Sequence, residues 1–221
     1  MIRSGERHLV RKAEIGKSRP ASGSGGRGGA ASPKKKRRNS YIHPRASDDF
    51  YIEPCWVDER LFQVEHFNPE HVLLDPCTGS GRIADAAKAA GLVVVTADIC
   101  DRYPGTRIQN FLDRHSAPPS LVGNPPFNVV EAFARHALAI GGRHVALLFP
   151  TARLNAARWL RELPLRRVWL LTPRPSMPPG EVILRGEKAG GGKTDFCWLV
   201  FTAGYAGAPE LRWLHRDEGG G

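Results

Sequence analysis

A corner suited to chemistry lies at Asn124-Pro125-Pro126-Phe127, directly after the apolar run Leu121–Gly123. Each proline fixes φ and lacks an N–H, so a sheet ladder cannot continue past Asn124 and the chain turns stiffly there. The turn directs two hydrogen-bond acceptors, the Asn124 side-chain oxygen and the Pro125 carbonyl, into one small space beside the ring of Phe127. Such acceptors suit a planar amide or an aromatic amine held for chemistry at its nitrogen. A strand that ends in a Pro-Pro turn is the alternative interpretation.

A second candidate site is the glycine-rich turn Pro76–Gly81, which follows Asp75. Its glycines permit a tight turn and a close approach to a ligand, and a helix starting near Arg82 would point its positive end there. The spacing fits neither the triphosphate-binding nor the NAD-binding glycine pattern. The acidic residue before the turn instead suits a ligand with an ammonium group. Asp98 ends the next strand and suits two ribose hydroxyls, while Ile99 suits the face of an adenine.

The elements that position these residues alternate between strands and helices. The predicted strands are Val72–Leu74, Leu92–Thr96, Arg107–Leu112, Leu121–Gly123, His144–Phe149, Arg166–Leu171 and Phe196–Phe201. The predicted helices are Trp56–Phe67, Arg82–Ala90, Asn128–Ile140 and Ala152–Leu163, and Thr172–Lys193 is rich in Pro and Gly and is predicted to be a loop. This alternation predicts an α/β fold: a mostly parallel seven-stranded sheet, helices on both faces, and an antiparallel last strand because no crossover helix precedes it. Asp75, Asp98, Asn110 and Asn124 all fall at the carboxyl ends of strands, where such sheets bind ligands.

The charge of the 221-residue chain is concentrated at one end. Residues 1–46 contain 13 Lys/Arg and 2 Asp/Glu, whereas the remainder contains 19 and 20. We predict that residues 1–46 are a disordered basic head and that residues 47–217 form a single domain. The head contains a run of five basic residues that suits contact with phosphate: Lys34, Lys35, Lys36, Arg37 and Arg38. The alternative is that this run only keeps the protein in solution and has no dedicated partner.

The remaining composition excludes several classes of protein. The four cysteines lie far apart, with no metal-ligand spacing, which argues against a zinc site or a disulfide framework and fits a reducing cytosol. The apolar runs are far shorter than the roughly 20 residues of a membrane span, and residues 1–30 lack the apolar core of a secretory signal. A cytoplasmic protein that uses neither a metal nor a membrane is therefore expected.

Together, the two sites resemble motifs of the S-adenosylmethionine-dependent DNA amino-methyltransferases, above all the adenine-N6 group. Asp75-Pro76-Cys77-Thr78-Gly79-Ser80-Gly81 is similar to the cofactor motif D-P-x-x-G-S-G, and Asn124–Phe127 to the catalytic motif [ND]-P-P-[YF]. The resemblance covers most of residues 48–203 and implies a Rossmann-like class I methyltransferase fold acting on DNA. It implies S-adenosylmethionine binding by Tyr51, Pro54, Asp75, Pro76, Cys77, Gly79, Gly81, Asp98, Ile99, Asn110 and Phe111.

The resemblance also implies a mechanism at Asn124, Pro125, Pro126 and Phe127. An adenine flipped out of the helix would stack on Phe127. Its amino N–H bonds would be held by Asn124 Oδ1 and Pro125 O, which favours a pyramidal nitrogen with an available lone pair. Because the sulfonium methyl of the cofactor is already activated, positioning supplies most of the catalysis, and neither a metal nor a nucleophilic residue is needed.

Two positions depart from the family pattern. Phe50-Tyr51-Ile52-Glu53-Pro54 resembles the segment that closes over the methionine end of the cofactor, but the family often has Thr where this chain has Glu53. Asn110-Phe111-Leu112 stands where the family commonly has Asp-Phe-Leu, so Asn110 supplies no charge.

The gaps between motifs leave too few residues for a separate target-recognition domain. The loop Thr172–Lys193 is the main candidate for reading DNA, with Arg174 and Arg185 as contacts to phosphate or to a guanine edge; a plain connector is the alternative. Thr172–Ser176 and Asp195–Trp198 resemble small phage and prophage members of the family.

Other functions are compatible with the same corner. Methyltransferases of RNA bases or of protein glutamine share an Asn-Pro-Pro-aromatic motif but usually lack the Asp75-Pro76 start. A non-catalytic nucleic-acid-binding module on the same fold would bind the cofactor without transferring its methyl group to DNA, RNA or protein.

Deletion of residues 1–40 is expected to weaken DNA binding and to flatten its salt dependence, because lysine and arginine contacts with phosphate release counterions. Binding of a labelled duplex at about 50 and about 200 mM salt measures both effects. Equal binding by the full and shortened chains at both salt concentrations would rule out a role for the head.

Overall fold

The computed structural model describes residues 50–187, 190 and 192–217. Its eight strands are β1 (Leu73–Asp75), β2 (Val94–Asp98), β3 (Arg107–Ile108), β4 (Ser120–Gly123), β5 (His144–Pro150), β6 (Leu165–Thr172), β7 (Phe196–Thr202) and β8 (Glu210–His215). They form one sheet in the order β3-β2-β1-β4-β5-β7-β6-β8. The α-helices are α1 (Cys55–Val64), α2 (Arg82–Ala89), α3 (Val130–Ala139) and α4 (Gly180–Leu184). The predicted basic head, including Lys34–Arg38, lies outside the described residues.

The seven predicted strands run in the predicted directions, and the sheet contains one further strand. The pairs from β3 through β5 are parallel, and β7 is antiparallel to both β5 and β6. The predicted antiparallel strand is therefore confirmed, but the predicted total of seven is wrong. β8 adds an eighth strand parallel to β6. The sequence of β8 mixes charged residues with Leu211 and Trp213, which are exposed. Its apolar pattern is therefore too weak to predict a strand, and pairing with β6 makes this segment a strand.

Helices cover both faces of the sheet, as predicted. On one face, Leu74, Leu121 and Leu147 pack in a cluster that includes residues of α3. On the other face, Leu73, Val122 and Leu148 pack in a cluster that includes residues of α1 and α2. Because successive residues of a strand point to opposite faces, continuous apolar runs supply both clusters.

Three elements differ from the sequence prediction. The predicted third strand Arg107–Leu112 is a strand only over Arg107–Ile108, and Phe111–Asp113 forms a 3₁₀ turn. In place of a helix over Ala152–Leu163, the chain forms two 3₁₀ turns, Thr151–Arg153 and Arg158–Glu162. The ring of Trp159 packs against Phe149 and Phe201, and such contacts override a weak local helix preference. The predicted loop Thr172–Lys193 contains the one-turn helix α4, whose Val182 is buried.

A buried ion-pair cluster joins the end of α1 to the sheet. Glu65 Oε1 accepts hydrogen bonds from Arg167 Nη1 at 2.5 Å and from Trp169 Nε1 at 2.6 Å, and His144 Nε2 lies 3.5 Å from Glu65 Oε2. Burial alone would raise the pKa of Glu65, but the interactions with His144, Trp169 and Arg167 outweigh burial and lower the pKa to about 2. Glu65 is therefore ionised and contributes to stability at neutral pH.

Replacement of Glu65 by Gln is expected to lower the free energy of unfolding by about 3 kcal/mol at neutral pH, because the folded state favours the ionised carboxylate. This stabilisation is present above the ordinary pKa of 4.5 and is lost as the pH falls towards about 2. Denaturant unfolding should show that the difference in free energy of unfolding between wild type and Glu65→Gln shrinks by more than half from about pH 5 to about pH 3.

The matched control is Glu210→Gln, which affects the more exposed partner of the same arginine. Glu210→Gln should lower the free energy of unfolding less than Glu65→Gln does, because solvent screens exposed ion pairs. A pH-independent difference between wild type and Glu65→Gln would contradict the assignment.

Candidate active site

The glycine turn and the Asn124 corner are in direct contact. β1 and β4 are parallel neighbours, so the residues that follow them emerge side by side at one edge of the sheet. A Cβ atom added to Gly123 would lie 3.1 Å from Cys77 Sγ and 3.2 Å from the ring of Pro76. The small residue at position 123 therefore permits the two motifs to pack together, as the sequence predicts.

Asp98 cross-links the glycine turn to the end of β2. Its Oδ2 accepts a hydrogen bond from Gly79 N at 2.8 Å, and its Oδ1 accepts one from Cys100 N at 2.9 Å. Gly79 and Gly81 have φ values of +52° and +88°, which favour glycine. Each carboxylate oxygen retains a second acceptor position, so Asp98 can hold the turn and still accept a bond from a ligand hydroxyl.

Three carboxyl groups are buried behind the turn: Glu53, Asp58 and Asp75. Asp75 Oδ1 accepts a hydrogen bond from Cys77 N, whereas Asp75 Oδ2 and both oxygens of Asp58 have no hydrogen-bond partner among the described residues. Burial, together with the repulsion of neighbouring carboxyls, raises the pKa of Asp58 and of Asp75 well above the usual range. Burial also raises the pKa of Glu53. The cluster thus offers unpaired acceptors in a setting suited to a cationic group.

The segment Phe50–Pro54 lies across both motifs. The Phe50 ring is 3.0 Å from the position of a Cβ on Gly79, and the Arg102 guanidinium lies over the same ring at 4.3 Å. The Tyr51 ring stacks on Phe127 with centroids 6.2 Å apart and an angle of 16°. Pro54 is the residue immediately before α1. The segment thus packs against both motifs, and its closure over a cofactor stays a prediction.

The Asn124 side chain is held by this segment. Its Nδ2 donates to Glu53 Oε2 at 2.7 Å and lies 3.3 Å from the carbonyl oxygen of Tyr51, which also accepts from it. Both N–H bonds are thus used inside the protein, and Oδ1 is left as the acceptor. The Phe127 carbonyl accepts a bond from Arg153 Nη1 at 2.8 Å, while its ring also contacts Phe196. Pro125 is buried and Pro126 is half-buried beside them.

The other predicted cofactor residues occupy different environments. Ile99 is 63% exposed beside Asp98 and presents an open apolar side chain. Asn110 is exposed, but its side chain accepts a hydrogen bond from Leu112 N. Phe111 is only 1% exposed and packs against Phe133 and His136 in the core. Contact of Phe111 with the cofactor stays a prediction. Burial raises the pKa of Cys77 well above its usual range, so Cys77 is a neutral thiol.

The two arginines predicted to contact DNA are exposed and paired with acids. Arg174 forms a two-bond pair with Asp195 at 2.6 and 3.1 Å, and Arg185 Nε bonds Glu187 Oε1 at 2.7 Å. The loop that carries them is tied to the closing segment, since Gly180 N donates to Phe50 O and Ile52 N donates to Pro178 O. The structure thus places this loop next to the candidate active site.

Sequence reasoning missed the roles of Glu53, Asp58 and Arg153. A signal was present for Asp58, because it shares the inward face of α1 with Leu61 at helical spacing. The only signal for Glu53 was that this chain has glutamate where the methyltransferases it resembles often have threonine. The Arg153 contact had no sequence signal, since it joins residues distant in the chain.

The described residues contain neither a metal-binding cluster nor a membrane-spanning helix. Between residues 50 and 217, excluding the undescribed positions, no group of three or more His, Cys, Asp or Glu side chains is arranged to hold a metal ion. In the same residues, no helix has the length and apolar character needed to cross a membrane.

No family model matches the sequence, and the search of curated proteins found no match. Solved structures match at the level of the fold. A chain assigned as the modification subunit of a type I restriction enzyme from Vibrio vulnificus YJ016 has a TM-score of 0.54 and 13% identity, and the match covers 76% of this chain and 48% of that chain. The present chain therefore spans about half the length of that structure.

Two further matches have lower TM-scores. One, assigned as an RNA methyltransferase from Pyrococcus horikoshii, has a TM-score of 0.49 and 13% identity over 66% of this chain and 79% of that chain. The other is a ribosomal protein L11 methylase from Lactobacillus delbrueckii subsp. bulgaricus, with a TM-score of 0.44 and 14% identity over 69% and 82% of the two chains. The strand order and the Vibrio structure together define the fold as Rossmann-like, of the class I methyltransferase type.

Gly81→Ala is expected to reduce stability by about 2–4 kcal/mol, because the new Cβ meets both a positive φ and a packed ring. That Cβ would lie 2.0 Å from the Tyr103 ring. Gly91→Ala is the matched control, with a φ of +81° and no described atom within 4 Å, and should cost about 1 kcal/mol. Denaturant unfolding measures the free energy of unfolding of both variants. An equal decrease in Gly81→Ala and Gly91→Ala would show that the Tyr103 contact is unimportant.

Proposed function

We propose that the protein transfers a methyl group from S-adenosylmethionine to the exocyclic amino group of adenine in DNA. The observation that carries the proposal is the orientation of Asn124 beside the glycine turn. Its amide nitrogen is bonded to Glu53 and Tyr51, so Oδ1 and the neighbouring Pro125 carbonyl remain as acceptors for an amine. Phe127 supplies an aromatic face at the same corner.

The residues around the turn fit the cofactor. The unpaired Oδ2 of Asp75 is a buried acceptor that an ammonium group would satisfy. Asp98 would accept from the ribose hydroxyls, and exposed Ile99 would cover the adenine of the cofactor. When bound, S-adenosylmethionine supplies a methyl group on a positively charged sulfur. Tyr51, Pro54, Pro76, Cys77, Gly79, Gly81 and Asn110 belong to the same proposed binding surface, with Phe111 behind it.

The protein's own residues would act mainly by positioning the target amine. Asn124 Oδ1 and Pro125 O would accept its two N–H bonds and draw its lone pair out of conjugation with the ring. Phe127 would hold the flipped base by stacking, and its own position is supported by Tyr51, Phe196 and Arg153. By holding the amine in place, these residues would supply most of the rate enhancement.

DNA is the proposed partner, and intracellular DNA is the proposed place of action. The basic run Lys34–Arg38 supports non-specific affinity for phosphate. Arg174 and Arg185 are exposed on the loop beside the site, and each could exchange its acidic partner for a phosphate oxygen. The likeness of Thr172–Ser176 and Asp195–Trp198 to phage and prophage enzymes supports a small enzyme of that type.

Expression in a bacterial host that lacks DNA methylation, followed by sequencing that maps modified bases, tests the proposal. N6-methyladenine in a recurrent sequence context is expected. Methyl groups only in RNA or protein would reject DNA as the substrate. Cofactor binding without transfer to any of the three would favour a binding module.

Asn124→Ala is expected to reduce methyl transfer by at least about 100-fold, because the target amine loses its positioning acceptor. Cofactor affinity should change little, since Asn124 lies on the substrate side of the site. Transfer of labelled methyl groups and calorimetric binding of S-adenosylmethionine measure the two properties. The control is Asn128→Ala, at an exposed position directly after the motif. Turnover by Asn124→Ala comparable with wild type would refute the assignment.

A further inference from the structure

The orientation of the Asn124 amide depends on two acceptors from one short segment. An amide group is planar, so the direction of its nitrogen fixes the direction of its oxygen. The nitrogen points inward, to Glu53 Oε2 at 2.7 Å and to Tyr51 O at 3.3 Å. The oxygen must then point to the opposite side.

Glu53 is held firmly enough to impose this direction. Its side chain is buried, at 6% exposed. The adjacent Ile52 is also buried, and its N–H donates to Pro178 O at 3.3 Å. On the other side, Pro54 begins the approach to α1. The Glu53 carboxyl therefore cannot leave Asn124 without moving a packed segment.

The contact does not require a charged carboxylate. Burial raises the pKa of Glu53, and the hydrogen bond from Asn124 and the charge of Arg82 offset only part of that effect. A neutral carboxylic acid still has a carbonyl oxygen that accepts a hydrogen bond, and a glutamine side chain has the same acceptor. A leucine side chain has a similar size but no acceptor.

We propose that Glu53 is a positioning residue that orients the Asn124 amide so that Oδ1 faces the target amine. This inference rests on the proposed function and extends it to a residue at which the chain departs from the family's usual threonine. Glu53 itself does not contact the target base. It acts by removing the alternative orientation, in which the Asn124 nitrogen would face the amine and repel its hydrogens.

The first comparison is between Glu53→Leu and Glu53→Gln in the full chain. Glu53→Leu should lower kcat by about 100-fold through misplacement of the amide. Glu53→Gln, which keeps the acceptor, should recover most of this loss and remain within about 5-fold of wild type. KM for DNA and affinity for S-adenosylmethionine should change much less than kcat. Glu59→Leu, at an exposed position of α1, is the control for the loss of a glutamate nearby.

A spectroscopic measurement separates this inference from the proposed function. The side-chain amide signals of Asn124, identified by their loss in Asn124→Asp, should lie at low field and exchange slowly in wild type. Glu53→Leu should remove both properties, whereas Glu53→Gln should preserve them. This measurement needs no substrate, so it decides the contact even if the wild-type protein methylated no DNA and the proposed function failed.

Two results would overturn the inference. The first is an unchanged Asn124 amide signal in Glu53→Leu. The second is an equal loss of kcat in Glu53→Leu and Glu53→Gln.

Discussion

The parallel pairing of β1 with β4 is the constraint on which the candidate site depends. Leu73 pairs with Ser120 and Leu74 with Leu121, so the two strands end at one edge of the sheet. The residues that follow, distant in the chain, must then meet. Their close packing depends on Gly123, because a side chain there would press against Cys77 and Pro76. Burial of both strands, with apolar side chains on each face, makes this register costly to change.

The segment Phe50–Pro54 connects the parts that this pairing brings together. Phe50 covers the glycine turn, Tyr51 stacks on Phe127, and Glu53 bonds Asn124. The same segment is bonded to Pro178 and Gly180 of the long loop. The geometry of the turn, the corner and the loop is therefore interdependent, although each belongs to a different part of the chain.

Buried carboxyl groups serve two different purposes in this fold. Glu65 is fully paired with Arg167 and Trp169, and its pKa is lowered to about 2, as expected for a structural ion pair. Asp58 and Asp75 are buried and have oxygens without a hydrogen-bond partner in the described part of the chain, and their pKa values are raised. Unpaired buried acceptors cost stability, and such strain is concentrated at functional sites. The two groups of buried carboxyls therefore differ both in their hydrogen-bond partners and in the direction of their pKa shifts.

The sequence by itself determined the alternating α/β architecture, the antiparallel β7 and the placement of Asp75–Gly81 and Asn124–Phe127 at strand ends, because apolar periodicity and turn residues are local signals. Tertiary structure decided the rest. β8 exists through its ladder with β6, Trp159 packing replaces a helix with 3₁₀ turns, and Phe111 packs against Phe133 in the core. The orientation of Asn124 also depends on Glu53, far away in the chain. These outcomes arise from contacts between distant residues, and no local pattern encodes which side chains will meet.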